Sequence, residues 1–180
     1  MNSVAHLEPL YPSDVIAARL ETLSDDIAAR MGRDFALVAI LKGSFVFAAD
    51  LIRALATHRV NPDVDFMTLA SYGTATVSSG TVRLLRDVEI DVAGREVLVV
   101  DDILDSGRTL AFARRHLLER GATAVRVCVL LDKTAGRVPA HPEPADFVGF
   151  SCPPAFVVGY GMDAAHKFRG LPFVAILSEE

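Results

Sequence analysis

The sequence predicts an α/β fold with a mainly parallel sheet flanked by helices, and three observations carry that reading. Phe35 to Leu41, Val97 to Val100 and Val125 to Leu131 are near-continuous apolar runs, the pattern of strands covered on both faces. Segments with apolar residues at helical spacing lie between them. At one junction, Val97-Leu-Val-Val-Asp-Asp-Ile-Leu-Asp-Ser-Gly-Arg-Thr-Leu110, an apolar strand runs through carboxylates and small hydroxyl residues into a helix.

The elements follow in order. Ser13 or Asp14 is placed to cap a first helix, in which Val15, Ile16, Leu20, Leu23 and Ile27 recur at helical spacing and Gly32 closes the run. Phe35 to Leu41 reads as a buried strand, followed by Lys42-Gly43-Ser44 and a helix through about Ala56. Asp63 to Ser71 makes another strand. Tyr72 to Thr81 is rich in Gly, Ser and Thr and has too few apolar side chains to anchor itself, which predicts a mobile loop. Val82 to Leu85 returns as a strand, and Val97 to Val100 enters a turn at 105–109 before a helix from Thr109 to Arg120 that stops at Gly121. Val125 to Leu131 is the next buried strand, ending at Asp132-Lys133. Beyond the Pro-rich 139–144 segment, short strands near Phe147–Phe150, Phe156–Gly159 and Phe173–Leu177 lie too close together for crossover helices, and predict a small flap over the main sheet.

Composition narrows the class. A chain of 180 residues with 51% hydrophobic content suffices for one substantial core, and no linker or internal repeat divides residues 1–180, so a single domain is expected. A formal charge of −5 opposes non-specific binding to nucleic acid or anionic membrane. No apolar stretch reaches the roughly 18 residues that span a bilayer. The start MNSVAHLEPLYPSD lacks the basic and apolar regions of a secretory signal, so a cytoplasmic protein is expected. Cys128 lies inside an apolar run and Cys152 precedes two prolines, without metal-ligand spacing, so both read as buried free thiols. His6, His58, His116, His141 and His166 are scattered as surface or packing residues, and none reads as catalytic.

The strand-to-helix junction carries the chemistry. In an open α/β sheet the crevice beyond the strand carboxyl ends is the ligand site, and the following helix begins with unpaired N–H groups and the positive end of its dipole. Asp105, Ser106, Gly107, Arg108 and Thr109 supply a monophosphate cradle: a glycine for close approach, two hydroxyl donors and converging amides. Asp101 and Asp102 would repel a phosphate, but they suit the vicinal hydroxyls of a ribose or the magnesium carried by a diphosphate. Diol, metal and phosphate together indicate a phosphoribosyl group. For the turn taken alone, the plain alternative is a βα corner with solvated aspartates.

VLVVDDILDSGRTL resembles the phosphoribosyl-pyrophosphate (PRPP) motif of type I phosphoribosyltransferases. LKGSFVFAADL at 41–51, DFMTLASYGTATVSSGTVRLLRD at 65–87 and FVVGYGMDAAHKFRGLPFVAIL at 156–177 resemble hypoxanthine-guanine phosphoribosyltransferases of the short bacterial form, in the same order and at compatible spacings. The resemblance covers most of the chain. It implies the type I phosphoribosyltransferase fold, a Rossmann-like sheet with a small hood and a mobile loop, and a purine-salvage reaction that transfers the 5-phosphoribosyl group of PRPP to a 6-oxopurine, releasing pyrophosphate, with magnesium. It also implies a homodimer or homotetramer acting on small molecules.

By the same resemblance, Asp105 faces the purine nitrogen that loses its proton, and Asp101 and Asp102 hold ribose hydroxyls and magnesium. The family most often has Glu-Asp at this pair, so Asp101 is one methylene short and its contact is direct or through water. Ser106, Gly107, Arg108 and Thr109 map onto the 5-phosphate cradle. Lys133 matches a lysine that donates to the purine 6-oxo group; a donor-only ammonium disfavours adenine, and the bare residue would read as a solvated surface lysine. Phe156 matches the aromatic that stacks on the base, and Val157 contributes backbone contacts; core packing is the plain alternative for both. Asp163 matches a purine-side residue that reaches the second magnesium, and Arg169 one that reaches pyrophosphate; as bare residues they could equally form a surface ion pair. Lys42 and Gly43 lie where pyrophosphate would sit, and the family's peptide before this lysine can be cis. Ser71 and Tyr72 match positions that approach pyrophosphate when a lid closes. Two alternatives stay open: a xanthine- or guanine-preferring enzyme, and a PRPP-sensing regulator that binds nucleic acid on the same fold.

Overall fold

A computed structural model describes residues 5–74, 77–133 and 144–179. The elements are β1 (Ala5–Tyr11), α1 (Ser13–Met31), β2 (Ala36–Leu41), α2 (Phe45–Thr57), β3 (Asp63–Thr74), β4 (Val77–Arg86), β5 (Glu96–Leu104), α3 (Arg108–Glu119), β6 (Ala124–Asp132), β7 (Phe147–Ser151), β8 (Val157–Val158) and β9 (Val174–Glu179). Six strands form the main sheet in the order β4-β3-β2-β5-β6-β7, and three form a smaller sheet, β1-β9-β8. Among the described residues of the main sheet, only β3 and β4 pair antiparallel.

The apolar strand runs are explained by two cores, one on each face. Leu37, Ala39, Leu98, Val100, Cys128 and Leu130 join the core under α1 and α2, where Ile16, Leu23, Phe47 and Leu51 pack. Their alternates Val38, Ile40, Val97, Val99, Val127 and Val129 join a second core with Leu110, Ala113 and Leu117 of α3. The period of two along each strand thus sends alternate apolar residues into opposite cores. Both cysteines are free and buried, and burial pushes the Cys128 thiol pKa up.

Four expectations need correction. The N-cap of α1 is Pro12, whereas Ser13 and Asp14 lie in the first turn with no side-chain cap bond; Gly32 does close the helix, at φ 73°. The strand β1 was not foreseen. It contains Pro9 and charged Glu8, which an edge strand tolerates, and its ladder with β9 is irregular between Pro9 and Tyr11. The strand β7 is no part of a flap: it extends the main sheet, parallel to β6, because the 133–146 connection is long enough for a crossover. Only β8 and β9, with β1, form the hood.

The fourth correction concerns the Tyr72 to Thr81 loop. The backbones of β3 and β4 stay paired along this stretch, with Ser71 opposite Val82, Tyr72 opposite Thr81 and Thr74 opposite Val77; residues 75–76 lie outside the described residues. β2 accompanies β3 only from Asp63 to Thr68. Beyond that point the two strands continue as a two-stranded arm.

Candidate active site

Two turns follow the carboxyl ends of adjacent parallel strands β2 and β5, and the site is built where they meet. β5 carries Asp101 and Asp102 past its apolar stretch and ends at Leu104. Asp101 is 7% exposed, and its Oδ1 accepts the Asp102 N–H at 3.0 Å. Burial, then the adjacent Asp102 charge, pushes the Asp101 carboxyl pKa well above the ordinary carboxylate range. Burial also raises that of Asp102, with partial relief from hydrogen bonds and from the positive charge of Arg169. The pair therefore favours a nearby cation.

The 105–109 turn follows directly. Asp105 and Ser106 are exposed, Gly107 takes φ 75° as the N-cap, and α3 starts at Arg108, one residue earlier than the periodicity indicated. Arg108 and Thr109 thus occupy the first helical turn, where the Arg108 N–H donates to Ser106 Oγ at 3.5 Å. Lys133 lies just past β6, and its N–H donates to the Leu104 carbonyl at 3.0 Å, tying the end of β6 to the beginning of this turn. Cys152 feels both charges: burial raises its thiol pKa, Lys133 lowers it and Asp105 raises it. These charges share one neighbourhood.

The turn after β2 is the opposite wall. The Leu41-Lys42 peptide is cis. Fully buried Ser44 donates its hydroxyl to the Ile40 carbonyl at 2.5 Å and folds the turn back onto its own strand. Sequence reasoning passed over this serine, and only its position between a strand end and a helix start hinted at the role. Gly43 is required sterically: a Cβ there would lie 1.6 Å from Asp102 Oδ2. A Cβ on Gly161 would in turn meet the Gly43 carbonyl oxygen at 2.3 Å. Asp102, Gly43 and Gly161 are therefore stacked in contact, and three distant segments of the chain converge there.

Gly161 belongs to the 159–171 turn of the hood. Arg169 donates to the Gly161 carbonyl at 2.7 Å and pairs with Asp163 at 2.5 Å; Asp163 also accepts the His166 N–H at 2.8 Å. The plain ion pair foreseen as an alternative does exist, half-buried, while the Arg169 charge also reaches Asp102. Phe156 is 56% exposed, so core packing does not account for it, whereas Val157 is buried. Ser71 and Tyr72 lie in the β3–β4 arm rather than in this cluster's turns. His116 bridges both Asp87 carboxylate oxygens at 2.9 Å, away from the crevice.

Comparison with known proteins agrees with this geometry. The phosphoribosyl transferase domain pattern matches residues 10–165. The chain is 42% identical over 171 residues to the hypoxanthine phosphoribosyltransferase of Escherichia coli K12, covering 93% of each protein. It is 39% identical over 169 residues to the hypoxanthine-guanine phosphoribosyltransferase of Bacillus subtilis 168, covering 93% of this chain and 91% of that one. It also matches the bifunctional protein TilS/HprT of Listeria innocua at 41% identity, spanning about a quarter (26%) of that protein's length. Among solved structures, a Bacillus anthracis hypoxanthine-guanine phosphoribosyltransferase with a HEPES molecule in its active site superposes with a TM-score of 0.87 at 39% identity, over 95% of this chain and 98% of that one. With the acidic pair, the cradle and the hood in one crevice, this chain belongs to the phosphoribosyl transferase domain family and, within it, to the hypoxanthine phosphoribosyltransferases.

Proposed function

We infer that this protein is a purine-salvage enzyme that transfers the 5-phosphoribosyl group of PRPP to hypoxanthine, and to guanine, giving IMP or GMP and pyrophosphate. The observation that carries this reading is the contact of Asp102, Gly43 and Gly161 at the mouth of β5, beside the start of α3. A diphosphate-bearing sugar needs such a site: a helix start for its 5-phosphate, carboxylates for its diol, and a backbone-lined wall with an arginine for its leaving group.

In the reaction the bond from the anomeric carbon to the pyrophosphate oxygen breaks, and a bond from that carbon to an imidazole-ring nitrogen of the purine forms. Positive charge builds on the ribose while negative charge collects on the departing pyrophosphate. Ser106, Gly107, Arg108 and Thr109 grip the 5-phosphate and fix the sugar. Asp105 takes the proton from the purine nitrogen. Lys133 donates to the 6-oxo group, while Phe156 stacks on the base beside Val157. Lys42, Gly43 and Arg169 receive pyrophosphate, and Asp163 orients Arg169 from the purine side.

Among the described residues no group of three or more His, Cys, Asp or Glu forms a cage for a metal ion. Adjacent Asp101 and Asp102, held where their charge is costly, instead fit an ion that arrives with a diphosphate and keeps several waters. Magnesium bound there, with Asp163 toward the second position, would neutralise charge on the leaving group.

The β3–β4 arm, bearing Ser71 and Tyr72, acts as the lid. Past Thr68 β3 loses its pairing with β2, while Leu69 and Leu84 still pack against the second core, and a two-stranded ribbon is marginal by itself, so moving its outer end costs little. Closing it would keep water from an oxocarbenium-like centre. Residues 1–180 act as one catalytic unit in the cytoplasm, assembled as a homodimer or homotetramer; no helix among the described residues is long and apolar enough to cross a membrane.

Steady-state rates with hypoxanthine, guanine, xanthine and adenine, each with PRPP and magnesium, test the assignment. Hypoxanthine is expected to give the highest kcat/KM and adenine none. A preference for xanthine, or no turnover of any purine, would overturn it.

A further inference from the structure

Tyr160 is the residue of the hood turn with the most unusual environment. Its backbone takes φ 49°, a conformation that a bulky residue keeps only where its surroundings hold it. The side chain is 5% exposed, and its phenol donates to Asp50 Oδ2 at 2.5 Å, across 110 residues of chain. Asp50 lies on α2, and its other oxygen pairs with Arg53. Burial and the Asp50 carboxylate push the phenol pKa up, so the O–H stays a donor across the working pH range.

Both partners lead back to one wall of the crevice. α2 begins directly after Lys42-Gly43-Ser44, so Asp50 is rigidly referenced to the turn that faces pyrophosphate. Gly161, next to Tyr160, rests against the Gly43 carbonyl, and its own carbonyl holds the Arg169 guanidinium at 2.7 Å. The Tyr160 N–H is bound to Leu171 O at 2.9 Å and the Gly161 N–H to Arg169 O at 3.0 Å, so the turn moves as a unit. One hydroxyl therefore fixes that unit to the helix carrying the opposite half of the wall.

We propose that Tyr160 is a positioning residue for the pyrophosphate end of PRPP: its bond to Asp50 latches the hood turn to α2, seating Gly161 on Gly43 and aiming Arg169 into the crevice. The proposal rests on the assignment of Lys42, Gly43 and Arg169 to pyrophosphate.

The test is calorimetric titration of Tyr160→Phe, Asp50→Asn, Asp50→Leu and Arg169→Gln with magnesium PRPP and, separately, with IMP, which lacks pyrophosphate. Loss of one charge-assisted hydrogen bond sets the scale: Tyr160→Phe should bind PRPP about tenfold more weakly and IMP within about twofold of the parent. Asp50→Leu should match it, and Asp50→Asn, which keeps a carbonyl acceptor, should recover most of the loss. Should Tyr160→Phe fail to fold, the contrast between the two Asp50 variants makes the same discrimination. Equal weakening toward both ligands, unchanged PRPP binding, or an Asp50→Asn as impaired as Asp50→Leu would overturn the latch. If Arg169→Gln leaves PRPP affinity intact, the pyrophosphate assignment itself falls; if it weakens PRPP while Tyr160→Phe does not, only the latch falls.

Discussion

The turn at the start of α3 and the hood turn both belong to the region around Asp102, yet they are held by different means. Residues 105–109 are suspended between a central strand with neighbours on both sides and a helix anchored by Leu110, Ala113 and Leu117. Residues 159–171 have a slighter frame, strands β8 and β9 paired only at Val157 and Val158: Gly159, Tyr160, Gly161, Ala165, His166 and Phe168 all have positive φ, and the turn is held by its own backbone bonds and by contacts with Gly43 and Asp50. One wall is positioned by the chain on either side of it, the other by partners far away in sequence. The roles proposed above follow this division: a 5-phosphate held through the chemical step suits the first kind, and a pyrophosphate that departs suits the second.

This contrast can be broken or sharpened by experiment. The largest effect is expected on the cradle side: Asp105→Asn should lower turnover about 10²–10⁴-fold, the range of general acid–base catalysis, with PRPP affinity within a few-fold. Near-normal turnover would remove Asp105 from the chemistry. On the facing wall, Gly43→Ala forces a Cβ into the Asp102 carboxylate, and a displacement near 1 Å costs about 10²-fold in kcat/KM for PRPP. Parental kcat/KM would show that this turn yields freely. Lys133→Ala should bind purine nucleotide about tenfold more weakly by calorimetry, the scale of a hydrogen bond from a charged donor, with PRPP binding preserved. Unchanged purine affinity would return Lys133 to the surface. The smallest perturbation is hydrogen exchange on the arm: amides of residues 72–74 and 77–80 should gain protection when a transition-state analogue and magnesium pyrophosphate bind. Equal exchange in both states would sink the lid.

The same division governs what the sequence made legible. The 101–109 segment is contiguous, so its strand, turn and helix start all register in local pattern, and the error at Arg108 is one residue. Runs such as Val97 to Val100 announce strands covered on both faces. Elements defined by distant partners do not register: β1 is a strand only because β9 lies beside it, and Pro9 argues against it locally. β7 resembles its neighbours in the hood until its pairing with β6 is known. Tyr160 and Asp50 are unremarkable alone, and the Ser44 hydroxyl reveals its role only once the turn is folded. In the Tyr72 to Thr81 stretch, scarcity of apolar side chains indicates a loop, but ladder pairing is made by the backbone and does not depend on apolar side chains.

The adjacent carboxyls of Asp101 and Asp102 have a consequence for the stability of the fold. A carboxyl whose folded-state pKa is raised above its unfolded value supports the fold while protonated, and that support fades as pH climbs from the ordinary carboxylate range through the raised value. The ligand-free protein should therefore lose thermal stability over that interval, and Asp101→Asn should flatten the loss and raise Tm at neutral pH while weakening PRPP binding. An unchanged pH profile of Tm in that variant would show that the pair imposes no such burden. If the proposed magnesium PRPP binds at this pair, its cation offsets the burden, and the ligand should stabilise the protein more as the solution becomes more alkaline.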